Sequence, residues 1–505
     1  MSTDYILDSI LFSLVKGVFS IQPSIIYLCL INGCVYYLVI LQVNGMKNNS
    51  LGKYITNRFL IITVLLICLF SNPVQASSEI DVGLIVSQFS AELIAPSSFV
   101  ATEPNGKKSV LEKGKYFIAA NQGKIKLGNL QLASATVLEI AEQEDKENNK
   151  TKDKDQSSAV RPRHLFTVNR QEYRGALIIY LTNDSKNLTI VNRVPMEYYV
   201  NSVLGPKSSP IWPDEAIKAQ AVAIRSLAWY YKQKPESELF AVRAVEPEAF
   251  YGGIRNENKN ITKIAAQTVG QVLYYKGSPA MTYTCESSGG MTVSAYEVLQ
   301  IDVPYLQAVE DYDSDCPSFT WEKKIQALTI SRLLEQGGHS LGRLRGYRIS
   351  DSEKPDKKDR YPSGRVKTIY WQGELGSVTM SGQEFADLLA LSSNWFDVYI
   401  TDPVPEKLDV PIENSQGMEI GKKQIPIKVR GREKSAWKSA IPGYHFLEGT
   451  NDETILFKGK GIGRGLGLSK WGAKGMADTA PEKAENYYKT ILQHFYPGTD
   501  LVSVY

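Results

Sequence analysis

The chain has 505 residues, with 57 Lys and Arg against 54 Asp and Glu, for a formal net charge of +3. So near a balance leaves no electrostatic footprint for nucleic acid, and its length allows two or three lobes with sizeable cores. The 28 tyrosines and the 10% share of aromatics suit carbohydrate faces, but they suit any β-rich core equally well.

Taken in order, residues 24–43 form an uncharged apolar run that by itself reads as a membrane span. A second start signal follows at Met46. Lys47, Lys53 and Arg58 precede an apolar core at 59–70, and Val74-Gln75-Ala76 has small residues where a signal peptidase reads, so 46–76 has the layout of a secretory signal peptide. Two readings stand for residues 1–45: an apolar extension with a true span at 24–43, or an overlong reading frame whose start is Met46. The second is preferred, because a complete signal peptide seldom sits behind a genuine span. Under either reading the body is exported to the cell envelope, periplasm or exterior, and it meets the membrane only through its N-terminus.

Residues 77–141 alternate short Val/Ile/Leu runs with Gly, Asn and Ser, which predicts a small β domain. Residues 142–160 are almost all polar and predict a charged linker. Residues 161–505 form the main domain. Its first strands are predicted at 166–170, 173–181 and 188–192. A helix follows Trp212-Pro213, with Pro213 suited to its first position and Asp214 and Glu215 where the helix dipole favours negative charge. Ile217, Ala221, Ile224 and Ala228 share one face of it, and Gln220, Arg225 and Ser226 are polar groups that need partners if buried.

Further on, Ser287-Ser288-Gly289-Gly290 follows a strand and predicts a sharp turn with exposed hydroxyls and free N–H groups. A helix is predicted at 333–345, broken by Gly337-Gly338. From 459 to 467 every second residue is glycine, a spacing that fits no nucleotide-binding loop. Cys285 and Cys316 are the two cysteines outside the N-terminal apolar segments. In an exported chain, two cysteines about thirty residues apart most often form a disulfide, with free thiols as the alternative.

Several stretches together resemble the SpoIID/LytB family (stage II sporulation protein D and amidase enhancer), whose members act on the bacterial cell wall. The match runs through Pro195-Met196-Glu197, Trp212-Pro213 and Glu215-Ala-Ile-Lys-Ala-Gln220-Ala-Val-Ala-Ile-Arg225-Ser226. It continues in the Ser-Ser-Gly-Gly turn with Thr292, in Pro304-Tyr305-Leu306, and in Gly463-Arg464-Gly465-Leu466-Gly467-Leu468-Ser469-Lys470-Trp471-Gly472-Ala473. In this last landmark the family has His, Met and Gln where this chain has Arg464, Leu468 and Lys470. The resemblance implies an α+β fold, rich in antiparallel strands, with the signature helix central to the main domain. It also implies a groove for peptidoglycan glycan strands, lined by Gln220, Arg225, Ser226, Ser287, Ser288, Gly289, Gly290, Arg464, Lys470 and Trp471. Some members bind zinc nearby through His and Cys. Here two sulfurs without a neighbouring His leave no four-ligand site, so neither a metal nor another cofactor is expected.

Where the family's enzymes carry their catalytic Glu, this chain has Lys207. Cleaving a glycosidic bond requires a carboxyl group that can protonate the leaving oxygen. An ammonium with an ordinary pKa of about 10.4 is a very poor acid for that task. The expectation is therefore an exported protein that binds glycan strands with impaired catalysis and guides a cell-wall amidase. Two alternatives remain: an active lytic transglycosylase using a displaced acid, Glu286 or Glu197, and a structural envelope protein without glycan affinity.

Overall fold

The computed structural model describes residues 22–31, 34–42, 79–141, 165–235, 237–246, 249–350, 358–400, 407–413, 418–426, 444–447, 453–481 and 484–505. The chain divides into two compact units, 1–76 and 77–505. In the first, β1 (Gln22–Ile31) and β2 (Cys34–Gln42) pair antiparallel, from Gln22↔Gln42 to Ile31↔Cys34. The described part of the apolar run at 24–43 is thus extended. Its Ile, Val and Tyr residues favour strands. No helix among the described residues is long and apolar enough to cross a membrane. The signal peptide expected at 46–76 and the linker expected at 142–160 lie outside the described residues.

The second unit is α+β and rich in antiparallel pairing. It opens with β3 (Glu79–Gln88), β4 (Ser90–Ala95), β5 (Phe99–Thr102), β6 (Lys108–Leu111), β7 (Gly114–Asn121), β8 (Lys124–Leu127), β9 (Leu130–Leu132) and β10 (Thr136–Ile140). Beyond residue 164 come β11 (Leu165–Val168), β12 (Gln171–Arg174), β13 (Ala176–Leu181) and β14 (Leu188–Pro195), and later β15 (Val242–Arg243). One sheet has the order β15-β3-β14-β13-β10-β5-β6 and the other β12-β11-β4-β7-β8-β9.

Both sheets mix strands from either side of the charged stretch. The separate β domain expected at 77–141 is therefore corrected: β14 pairs with β3, β13 with β10, and β11 with β4. Alternating strands bury one face, and each needs a partner edge; the edges of β3, β4 and β10 find theirs beyond the charged stretch. Phe99 of one sheet and Phe166 of the other, both fully buried, meet edge to face at 5.7 Å.

β14 leads directly into α1 (Met196–Leu204), a short 3-10 turn (Gly205–Lys207) and α2 (Asp214–Gln233). Pro213 stands one residue ahead of the first helical position, in an extended conformation (φ −55°, ψ 137°). The face at Ile217, Ala221, Ile224 and Ala228 is buried, and so are Ala216, Ala219, Val222 and Ala223. Small side chains let neighbours close in on several sides: the strand Gln271–Tyr275 and the helices Lys470–Asp478 and Tyr488–Phe495 all pack on α2.

A second core gathers Trp371, Phe385, Phe396 and Phe457. The helix beside it runs Ala327–Gln336 rather than over 333–345. It stops at the Gly337-Gly338 pair, and Leu344 already opens a strand (Leu344–Arg348).

The joint core of the two sheets predicts that Phe166→Ala destabilises the unit by about 3–5 kcal/mol. Because the two rings touch, the Phe99→Ala/Phe166→Ala double variant should cost less than the sum of the singles, as read from urea unfolding.

Candidate functional site

Three segments converge beside the first turns of α2. The 3-10 turn delivers Lys207, whose Nζ donates to Thr284 Oγ1 at 3.3 Å. Thr284 and Cys285 form a short strand paired in parallel with Leu468 and Ser469, so Glu286 emerges beside Lys470 and Trp471. Glu286 Oε1 accepts from Trp471 Nε1 at 3.1 Å, and its other oxygen forms an ion pair with Lys470 Nζ. The Trp471 ring meets the Trp212 ring edge to face at 5.1 Å. Ser208, next to Lys207, donates to Gln220 Oε1 at 2.8 Å, while Gln220 Nε2 is buried with no partner among the described residues.

Lys207, Glu286, Gln220, Lys470 and Trp471 therefore belong to one neighbourhood. Thr284, Ser208 and Trp212 join them. The sequence flagged Trp212 only as a motif residue, and nothing local marked the other two.

The remaining expected residues have other tasks. Arg225 is wholly buried; its Nε and Nη2 donate to Glu197 at 2.7 and 2.8 Å, and its Nη1 donates to Gln271 O at 3.1 Å. The Tyr505 hydroxyl donates to the same carboxylate at 2.5 Å. Glu197 is thus engaged and does not swing toward Lys207. Ser226 donates to Val222 O and accepts from Leu273 N–H, which staples α2 to the neighbouring strand. Arg225 and Ser226 fix the helix and line no groove, as the polar groups of a buried helix must. Arg464 sits half-buried between Gly463 and Gly465 and enters none of these contacts.

The Ser-Ser-Gly-Gly turn also departs from expectation. Its hydroxyls and N–H groups are not offered to a ligand but consumed by two buried carboxylates. Ser287 Oγ and the N–H groups of Gly289 and Gly290 donate to Asp313 at 2.6, 2.8 and 2.9 Å. Ser288 Oγ donates to Asp311 Oδ2 at 2.5 Å, and Tyr312 N–H donates to Asp311 Oδ1 at 2.9 Å. Burial, and then the neighbouring Asp313 charge, push the Asp311 carboxyl up to about 7.

Arg365, also buried, ties this turn to the glycine-rich run by donating to Ser288 O at 3.0 Å and Gly463 O at 3.0 Å. Burial lowers its guanidinium to about 10, still charged at neutral pH. The run must be glycine to pass so near. A Cβ at Gly465 would lie 2.4 Å from the Arg365 guanidinium, and one at Gly467 would lie 2.0 Å from Tyr283 O, both at positive φ.

The disulfide expected between Cys285 and Cys316 is not formed; both are free thiols, and burial raises the pKa of each. The segment carrying Asp311, Asp313 and Cys316 is held to the turn by carboxylate hydrogen bonds, and these do the bracing that a sulfur bridge would otherwise supply. Spacing alone could not distinguish the two.

A family model described as stage II sporulation protein matches residues 184–275. The chain is 29% identical over 339 residues to an uncharacterized protein of Brachyspira hyodysenteriae, covering 67% of this chain and 74% of that one. It is 25% identical over 400 residues to an amidase enhancer of Bacillus subtilis, covering 77% of this chain but only 50% of the enhancer. It is also 22% identical over 330 residues to stage II sporulation protein D of the same species, covering 62% of this chain and 75% of that protein.

Two outcomes follow from the buried charges. Arg225→Met leaves the Glu197 carboxylate without its cation, and should lower stability by about 3–5 kcal/mol in urea unfolding. Asp311 has a folded-state pKa above its unfolded one, so its contribution is full below about pH 4 and is lost as pH rises through about 7. The melting temperature of Asp311→Asn relative to wild type should therefore climb between pH 5 and pH 8; a difference that stays constant across that range would refute the assignment.

Proposed function

We propose, for a chain that belongs to the SpoIID/LytB family, that it is an exported cell-wall protein that holds peptidoglycan glycan strands without cutting them. One observation carries this reading: Lys207 stands where a glycan-cleaving member needs a carboxyl group, and its ammonium faces Thr284. The nearest carboxylate on the opposite wall, Glu286, already accepts from Lys470 and Trp471 with both oxygens. A general acid must bring a proton within hydrogen-bond reach of the leaving oxygen, and neither group is arranged to do so. With Lys470 neutralised by Glu286, the Lys207 ammonium and the Trp212 and Trp471 indoles instead suit an anionic, sugar-bearing polymer such as a peptide-bearing glycan strand. The reading calls for no cofactor. It fits a role beside a cell-wall amidase, by analogy with the relative named amidase enhancer.

The test incubates the full-length chain with purified sacculi and reads both pelleting and released muropeptides by mass spectrometry. Pelleting without anhydro-muropeptides is expected, and Lys207→Glu should raise cleavage by about 100-fold or more over wild type. Anhydro products from the wild-type chain that persist in Lys207→Ala and vanish in Glu286→Gln would overturn the reading in favour of a displaced acid. Neither pelleting nor cleavage would leave a structural envelope protein.

A further inference from the structure

We infer that the buried pair Asp311 and Asp313 is a proton-operated latch behind the site. It holds the helix carrying Lys470 and Trp471 in place while one carboxyl is protonated, and loosens it when both are charged. Its effect on binding rests on the glycan reading, while its first readout needs no glycan.

The pair sits where two pieces of the wall meet, with Asp311 8% exposed and Asp313 fully buried. On one side it gathers the turn at 287–290, Ser288 to Asp311 and Ser287, Gly289 and Gly290 to Asp313. On the other side Asp311 meets the start of the helix Lys470–Asp478. The Ser469 hydroxyl hydrogen-bonds to Asp311 and accepts from Gly472 N–H at 3.0 Å, so one oxygen caps the helix and answers the carboxyl. Gly472 packs directly on that carboxyl, since a Cβ there would lie 1.7 Å from Asp311 Oδ1. Ser469 and Gly472 bracket Lys470 and Trp471, the two residues that hold Glu286.

The groups around the pair leave its charge unanswered. Neither aspartate has an ion pair among the described residues. Arg365 spends its donors on Asn394 Oδ1, Gly463 O and Ser288 O. Lys470 is taken by Glu286, and Lys474, from the same helix, pairs with Asp315 and Asp478. Burial keeps the thiols of Cys285 and Cys316 protonated. From the helix Tyr488–Phe495, His494 stacks on Tyr312 at 5.6 Å and reaches Glu310 O at 2.7 Å, but not the carboxylates.

Two unpaired charges side by side in a dry site repel each other and lose water. Hydrogen bonds from Ser288, Ser469 and Tyr312 N–H favour the charged form of Asp311. Burial and the Asp313 charge outweigh them and place its carboxyl at about 7. Below that pH the pair carries one charge; as pH rises through it, the second charge appears beside the helix start. A strand gripped by Lys470 and Trp471 needs the helix in place, so binding favours the protonated pair and takes up a proton.

The experiment labels the indole nitrogens of the full-length chain and follows the Trp471 Nε1–H signal by NMR from about pH 5.5 to about pH 8.5. Trp471→Phe identifies that signal among the seven tryptophans. In the wild type it should shift with a midpoint near pH 7; in Asp311→Asn, neutral at every pH, it should stay at its acid position. His494→Gln should keep the wild-type titration, which separates the imidazole from the carboxyl pair. Carboxyl-labelled aspartate in the wild type guards against a variant that does not fold, since a signal titrating in step with Trp471 is expected there too. Pelleting with sacculi is then compared at about pH 6 and about pH 8. The wild type should bind roughly five- to tenfold more tightly at the lower pH, and Asp311→Asn equally at both. A Trp471 signal that stays still while the carboxyl titrates, a titration that survives Asp311→Asn or disappears in His494→Gln, or wild-type pelleting equal at both pH values would overturn the latch. A moving signal with no pelleting at either pH would sustain the latch and sink the glycan reading alone.

Discussion

A charge buried away from water must find partners, and in this chain that requirement decides where distant segments meet. Asp311 and Asp313 lie in a stretch without regular structure, yet they gather the hydroxyls and N–H groups of the turn at 287–290. Arg365, from a third region, reaches the same turn through Ser288 O and the glycine-rich run through Gly463 O. If any of these were left unpaired, the desolvation cost would be several kcal/mol, a large fraction of the stability of a folded domain. The wall that carries Thr284 and Glu286 is therefore set from behind by electrostatics rather than by the residues that face the site.

The same logic holds one helix away. The middle of α2 is buried, which small side chains permit and which leaves Arg225 no water. Glu197 at the start of α1 and the Tyr505 hydroxyl answer that charge, so the two helices and the final residue are locked in register. With the helix fixed, its first turns present Gln220 and the preceding turn presents Lys207. The two buried networks thus act as the rigid frame, and the residues around Lys207 are what that frame holds in place.

Much of this was legible in the sequence where the cause is local. The start of α2, its buried face and the close approach of the glycine-rich run all follow from spacing and residue size. The family landmarks include Lys207, Glu286, Lys470 and Trp471, which the structure brings into one neighbourhood. What was not legible is pairing between distant residues. Nothing near Arg225 announces Glu197, and nothing near Ser287 announces Asp313, so the sequence left both sets open between ligand contact and a structural task, and they serve the fold. The charged stretch at 142–160 read as a boundary because composition is local, whereas β3, β4 and β10 find their partners in β14, β11 and β13 beyond it.

The run from Gly459 to Gly467 has a consequence for how this chemistry can change over time. At 461, 463, 465 and 467 the backbone is left-handed, and at 465 and 467 a neighbour leaves no room for a side chain. Substitution at those two positions would break the wall, while the positions between and after them carry side chains that can be exchanged. That is where this chain differs from the family pattern, at Arg464, Leu468 and Lys470, with the glycines untouched. The run works like a keyboard with a fixed frame: the glycines hold the wall in place while the side chains between them are the part that can differ.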